Sequence, residues 1–357
     1  MTSNDARLTP DTPAPLPESM RRARLFGAGD LRIDEVPLPV PAPGETLVRM
    51  TDMGLCGSDL HWYAEGGIGD ATITQPLVPG HELAGIAVDG PHAGRAVALD
   101  PAIPCEQCEM CAQNNRNLCP RVRFSGHSVT EGGLVEYKAW PTHLLHPLPP
   151  SMTGADGAVL EPLGVALHAW DLAHTRLAQD IVVVGCGPIG LLLIQMARAL
   201  GGGGRVIAVE PLAHRREAAL RYGADVAVDP AALDGEGLAE ALAGSLGAHT
   251  VFEVAGNDDA VAASLRLARP GARVVLIGIP DDDVTSFPAG LARRKGLTLV
   301  TVRRMKEMYE RTIALVDSGV VDVRSLVSAR LPLGRAEEAF TRAVARSGLK
   351  VVIALDA

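Results

Sequence analysis

The chain has 357 residues, of which 47% are hydrophobic, 21% charged and 3% aromatic, and its formal net charge is −9. That length exceeds one ordinary core, so two domains are expected, with interiors built mainly from Val, Leu, Ile and Ala. The acidic balance argues against non-specific nucleic-acid binding, and no apolar run approaches the ~20 residues that span a bilayer.

Residues 1–20, MTSNDARLTPDTPAPLPESM, are rich in Pro, Ser and Thr and lack an apolar signal core. They are read as a disordered arm, which makes the cytoplasm the expected compartment. From Arg21, short Val/Ile-rich runs are split by Pro and Gly to about Pro150, the texture of a β-rich domain. Next, AVLEPLGVALHAWDLAH has helical spacing, with Leu163, Ala166, Leu167 and Trp170 on one face. Apolar strands then alternate with amphipathic helices, from DIVVVG to RVVLIGIP, which predicts a doubly wound α/β domain with parallel strands buried on both faces. The tail carries helices in MKEMYERTIALVDSG and GRAEEAFTRAVARS and closes on the strand KVVIAL. These elements are too few for a domain of their own, so they are expected to return to the first one. The expected bounds are 21–165 and 301–357 for the β-rich domain and 166–300 for the doubly wound one.

IVVVGCGPIG sets Gly185, Gly187 and Gly190 in G-x-G-x-x-G spacing around Pro188 and Ile189, between a strand and a helix. A second strand, RVIAVE, ends at Glu210, where a carboxylate can take both ribose hydroxyls of a dinucleotide. Glu210 would repel a 2′-phosphate, which favours NAD over NADP. Arg215 and Arg216 temper that preference, because a nearby guanidinium binds such a phosphate.

CEQCEMCAQNNRNLC holds Cys105, Cys108, Cys111 and Cys119, four of the six cysteines, in C-x2-C-x2-C-x7-C spacing. Disulfides, an iron–sulfur cluster and zinc are the physical alternatives. A reducing compartment disfavours the first. The last gap of seven residues departs from the ferredoxin run, and a closed four-thiolate site is the usual form of structural zinc. A second, scattered set comprises Cys56, Ser58, Asp59, His61, His81, Glu82 and Glu161. It contains the Cys, His and carboxylate types that catalytic zinc uses, although spacing alone leaves packed-core roles open.

Taken together, CGSDLHWYAEGGIG, PLVPGHELAG, the four-cysteine lobe and EPLGVALHA resemble the zinc-dependent medium-chain dehydrogenases, most closely the sorbitol, xylitol and idonate branch. The resemblance runs from about Arg21 to the C-terminus. It implies a Rossmann domain paired with a discontinuous GroES-like catalytic domain. It also implies one catalytic zinc on Cys56 and His81 with Glu82 and Glu161 at the metal, and one structural zinc on the lobe cysteines. Asp59 would orient the ligating histidine, and Ser58 and His61 would relay the proton. Glu210 and Arg215 would contact the ribose and adenine, and the backbone at Ile277, Gly278 and Ile279 would meet the nicotinamide. The implied reaction is hydride transfer from a secondary hydroxyl of a polyol, sugar acid or related alcohol to NAD. An amino-alcohol or threonine-type dehydrogenase shares these motifs; a non-catalytic dinucleotide-binding protein and an electron carrier are the readings from other classes. Relatives are commonly dimers or tetramers, so a homo-oligomer is the implied assembly.

One stretch departs from the pattern. Where polyol dehydrogenases carry an aromatic–arginine–aromatic run, this chain reads VTVRRMKEMY: Arg303 matches the arginine that contacts cofactor or substrate, while Val302 and Arg304 replace the aromatics. A second guanidinium can recruit a carboxylate or phosphate. Arg304 is nevertheless expected to face solvent or pair with a nearby acid, as most charged side chains do. Tyr63 and Phe124 are expected near the substrate pocket. His127, His143, His146, His168 and His174 show no ligand spacing and are read as structural or surface residues.

Overall fold

The computed structural model describes residues 15–69, 71–127, 130–201, 203–232, 246–280 and 284–356. Most of the expected N-terminal arm, Gly202 and the acidic run 281–283 lie outside the described residues. Ser19 and Met20, counted with the arm above, instead begin the strand Ser19–Gly27, which pairs with Asp30–Pro37. Met20 is buried in the first core, so apolar packing reaches past the proline-rich segment.

Two sheets organise the rest. The first follows the order 145–147, 96–99, 82–87, 45–54, 350–354 and 327–332, with Tyr137–Pro141 also paired to Glu45–Gly54. The C-terminal strand Lys350–Ala354 thus lies antiparallel against Glu45–Gly54 and parallel to Val327–Pro332. The β-rich domain is therefore discontinuous, as expected from a tail too short to bury its own apolar face.

The second sheet is parallel, in the order 226–228, 206–209, 181–184, 248–253, 268–276 and 298–301. In the strand Ile181–Val184, Ile181 and Val183 enter one core while Val182 and Val184 enter another. Burial on both faces explains the unbroken apolar run. The register aligns Val184 with Val209 and Glu253, and Glu253 with Leu276, so the carboxyl ends of these strands share one edge.

The helix Leu160–Ala173 joins the two halves. One core runs from Ala98 and Leu148 through Leu160, Leu163 and Leu167 to Val183 and Leu192. Trp170, half-buried on the same helix, stacks near Phe252 with ring centroids 6.1 Å apart. No helix among the described residues is long and apolar enough to cross a membrane.

Candidate active site

The helix Gly57–Glu65 begins directly after Cys56, and Asp59 in its first turn ties two segments together. Its Oδ2 accepts from the Cys56 backbone N–H at 3.0 Å, and its Oδ1 accepts from the Gly80 N–H at 3.0 Å. The same Oδ1 lies 3.6 Å from His81 Nδ1. A single buried carboxylate therefore positions both Cys56 and His81. Glu82 opens the strand Glu82–Ala87 opposite Gly54. A Cβ at Gly54 would fall on Glu82 Oε2, so glycine makes room for that carboxylate.

Donor atoms of Cys56, His81 and Glu82 all lie within 4.8 Å of one another. Glu161, buried on the joining helix, stands outside that compact set. Burial raises its pKa to about 7, with His81 opposing the shift and Glu82 adding to it. Burial acts to lower the His81 pKa, yet Asp59 and Cys56, with help from Glu161, hold it well above the ordinary histidine value. Asp59, Cys56 and Glu161 thus all act on the His81 ring. Glu82 Oε2 is buried against the Lys350 ammonium. A thiol, an imidazole and a buried carboxylate form the donor set that suits zinc.

One charged neighbour was not legible in the sequence. Lys350, which opens an apolar strand, is ion-paired with Glu82 and donates to the Leu55 carbonyl at 2.8 Å. Its only signal is a lone lysine beginning an otherwise apolar run. Ser58 is half-buried two residues past Cys56. His61, on the same helix, meets Glu65 Oε1 at 2.9 Å through Nδ1.

The four lobe cysteines also gather their sulfurs within 4.8 Å, and all six cysteines are free of disulfides. Cys108 and Cys111 sulfurs are 3.5 Å apart. The N–H of Gln107 heads the causes that lower the Cys105 pKa to about 6, whereas burial pushes Cys111 up to about 12. Glu106 and Asn114 adopt left-handed backbone, φ 55° and 57°, which curls the lobe around the sulfurs. Four convergent thiols satisfy a single tetrahedral cation without further ligands.

At the carboxyl edge of the parallel sheet, Gly185 has φ 97°, and a Cβ there would meet the Ala255 nitrogen at 2.9 Å. Gly187 caps the helix Pro188–Leu200, and the space above it is bounded by Arg215 Nη1 at 3.9 Å. Gly190 permits the close approach of this helix to Gly185. Glu210 accepts from the N–H groups of Cys186 at 2.7 Å and Leu212 at 3.0 Å, which turns its carboxylate toward the glycine turn. Arg215 Nε is buried without a hydrogen-bond partner, whereas Arg216 is committed to the Glu210 and Pro211 carbonyls and to Asp229. Ile277 is buried, Gly278 packs against Gly256, and Ile279 is exposed at 52%. Glu253, not singled out in the sequence, braces this edge by accepting from the Ala255 and Gly256 N–H groups at 2.8 and 2.7 Å.

Among the aromatic candidates, Phe124 packs on His81 with ring centroids 5.2 Å apart. Tyr63 packs instead on Phe340 at 4.9 Å, and its neighbour Trp62 meets His127 at 6.0 Å. Arg303 is exposed, and its carbonyl accepts from Asn117 Nδ2 at 3.0 Å. Arg304 departs from expectation: it is half-buried, with its guanidinium 4.1 Å from the Phe124 ring centroid.

Comparison with known proteins matches residues 42–150 to the alcohol dehydrogenase GroES-like domain and residues 188–318 to the zinc-binding dehydrogenase family. Sorbitol dehydrogenase of Bos taurus is 32% identical over 340 residues, covering 93% of this chain and 95% of that protein. L-idonate 5-dehydrogenase of Escherichia coli superposes with a TM-score of 0.88 at 28% identity, over 94% of this chain and 98% of its own. A Sinorhizobium meliloti structure with NADP bound gives 0.85 at 30% identity, over 95% and 100%.

Proposed function

The chain belongs to the zinc-binding medium-chain dehydrogenases with a GroES-like domain, and from that premise we propose that it transfers hydride from a secondary hydroxyl of a polyol, sugar acid or related alcohol to NAD. The observation that carries the reading is the convergence of Cys56, His81 and Glu82 donor atoms within 4.8 Å, with the buried Glu161 feeling the charges of His81 and Glu82. Similarity to sorbitol and L-idonate dehydrogenases supports the hydroxyl-bearing substrate class.

In this reading Cys56, His81 and Glu82 hold the catalytic zinc, and Cys105, Cys108, Cys111 and Cys119 hold a structural one. When bound, the catalytic zinc supplies positive charge that favours an alkoxide, and the nicotinamide supplies the hydride acceptor. Asp59 fixes the two ligand-bearing segments before any substrate arrives. Ser58 takes the hydroxyl proton, and His61, with Glu65 against its ring, passes it toward solvent. Burial raises the Glu161 carboxyl, and the positive charge of a bound zinc would draw it back toward the ionised form. The glycine turn admits the pyrophosphate, and Glu210 meets the ribose hydroxyls. Phe124, packed on His81, keeps the reacting end of the cleft apolar. The lobe cysteines take no part in the chemistry.

Metal content by elemental analysis, paired with NAD reduction on polyols, sugar acids, amino alcohols and simple alcohols, tests the reading. About two zinc ions per chain and turnover of one substrate class are expected. One zinc and no turnover would leave only a structural lobe on a dinucleotide-binding scaffold.

A further inference from the structure

A cavity of about 480 Å³ lies beside Phe124, whose ring packs on His81. Arg123, Arg303 and Arg304 line it together with Asn117, Cys119 and His127, and no carboxylate lines it among the described residues. A wall with three guanidiniums and no acid is unusual in a chain of net charge −9. Among the described residues none of the three arginines is ion-paired.

Arg304 is the held member of the three. Its guanidinium lies over Phe124 at 4.1 Å, and Nη1 is shut off from solvent with no hydrogen-bond partner. A buried donor left unpaired forfeits its hydration, so the guanidinium depends on its remaining N–H groups, on a side chain that is half-buried and lines the cavity, to meet an acceptor. The backbone carries a second cost at the same residue: φ is 56°, the left-handed region that a non-glycine side chain rarely adopts. Such strain persists where surrounding structure enforces it, and it gathers at binding sites. Burial and Arg303 lower the Arg304 pKa to about 10, so the side chain is still a cation at neutral pH. His127 faces the same charges; burial, then Arg304 and Arg303, lower its pKa and favour the neutral ring. No carboxylate among the described residues lines the cavity; the competing negative charges are Cys119 on its wall and the buried Glu161, whose charge opposes the lowering at Arg304.

We propose that Arg304 is a specificity-determining residue that binds an anionic group, a carboxylate or a phosphate, on a polyhydroxylated substrate. The inference rests on the dehydrogenase reading and narrows its substrate class. The planar fork of arginine matches either anion through two parallel N–H donors. Stacking on Phe124 fixes the plane of that fork, and Phe124 in turn touches His81, so the anion subsite and the reacting end share one aromatic wall. A neutral polyol leaves the guanidinium without a counter-charge and is discriminated against for that reason.

The test uses the full chain loaded with zinc, and Arg304→Gln and Arg304→Lys variants whose thermal unfolding shows them folded. Three six-carbon probes separate the sources of the anion: gluconate, glucitol 6-phosphate and glucitol. Binding is read by calorimetry and turnover by NAD reduction. One of the two anionic probes is expected to bind, and to be oxidised with a kcat/KM, about 100-fold better than glucitol. R304Q should erase that ratio, while R304K, charged but without the fork, should keep only part of it. Equal handling of glucitol and both anions, or an anion preference that survives R304Q, would overturn the inference and leave the dehydrogenase reading intact. Anion binding that depends on Arg304 but is followed by no oxidation of any probe would do the reverse.

Discussion

The ammonium of Lys350 is ion-paired with Glu82 Oε2, and the two side chains are 2% and 1% exposed. The lysine is brought there by strand pairing: Gly54 lies opposite Glu82 on one side and Val352 on the other. The Leu55 carbonyl, accepting from Nζ at 2.8 Å, then fixes the head group. If Glu82 holds the proposed zinc, Lys350 is the cation left beside it when the metal is chelated. Removing one partner of a buried ion pair costs about 3–5 kcal/mol, because the remaining charge is left uncompensated. Lys350→Met should therefore destabilise the chelated protein by that order and the zinc-loaded protein by clearly less. Thermal unfolding with and without chelator measures both. Equal losses in the two states would mean that lysine and metal do not share the carboxylate.

Asp59 is the next point of leverage, since it accepts from both Cys56 and Gly80 and lies against His81. Asparagine keeps the volume but loses the charge and one of the two acceptor oxygens. Residues that orient a metal-binding histidine typically contribute about 10–100-fold in affinity. Asp59→Asn should weaken one zinc equivalent by that factor in a chelator competition titration. The second equivalent, on the cysteine lobe, should be unmoved. Loss of both together would indicate unfolding of the domain instead of a local effect.

Much of the architecture is legible because burial writes a period into the chain. IVVV and VIAV are unbroken apolar runs since their strands are covered on both faces, and KVVIAL returns to the first sheet because the neighbouring strand Val327–Pro332 covers only one of its edges. The candidate metal residues can be picked out by chemical type, but their ranking cannot. Whether Glu82 or Glu161 joins Cys56 and His81 depends on register between distant strands and on the path of the joining helix. Lys350 was hidden for the same reason: a lysine at the start of a strand normally reaches water, and only the pairing around Gly54 buries it. Arg304 and His127 became informative through the wall they share, which no local pattern reports.

His146 gives a pH prediction whose sign is fixed. Its Nε2 is buried without a hydrogen-bond partner, and its ring stacks on Tyr309 with centroids 4.3 Å apart. Burial first, then the nearby His92 and His143, lowers its pKa from 6.5 to about 4. Between those values the unfolded chain binds the proton and the folded chain does not. The stability contributed is complete above pH ~6.5 and is lost as pH falls through about 4, up to about 3 kcal/mol for this group. His146→Phe keeps the stacking and removes the titration. Its unfolding free energy, followed by urea titration from pH 7 to pH 4, should fall less steeply than that of the parent. Parallel slopes would show that the ring is hydrated in solution.

Cofactor choice is the last prediction, and it turns on Glu210 against Arg215. Glu210 faces the glycine turn while accepting two backbone N–H groups, so a 2′-phosphate would bring a second anion to a fixed carboxylate. Arg215 opposes this: its guanidinium borders the space over Gly187, and its buried Nε has no partner. Arg216 is already committed to two carbonyls and Asp229 and can offer little. Glu210→Gln preserves the shape and cancels the charge. It should lower kcat/KM with NAD by about 10-fold, the scale of one charge-assisted hydrogen bond, and raise kcat/KM with NADP. Adding Arg215→Ala to that variant should abolish the gain with NADP, whereas adding Arg216→Ala should not. Steady-state kinetics with both cofactors read all four proteins. A parent chain that already prefers NADP would reverse the assignment, making Arg215 the dominant charge at the ribose and Glu210 a brace for the glycine turn.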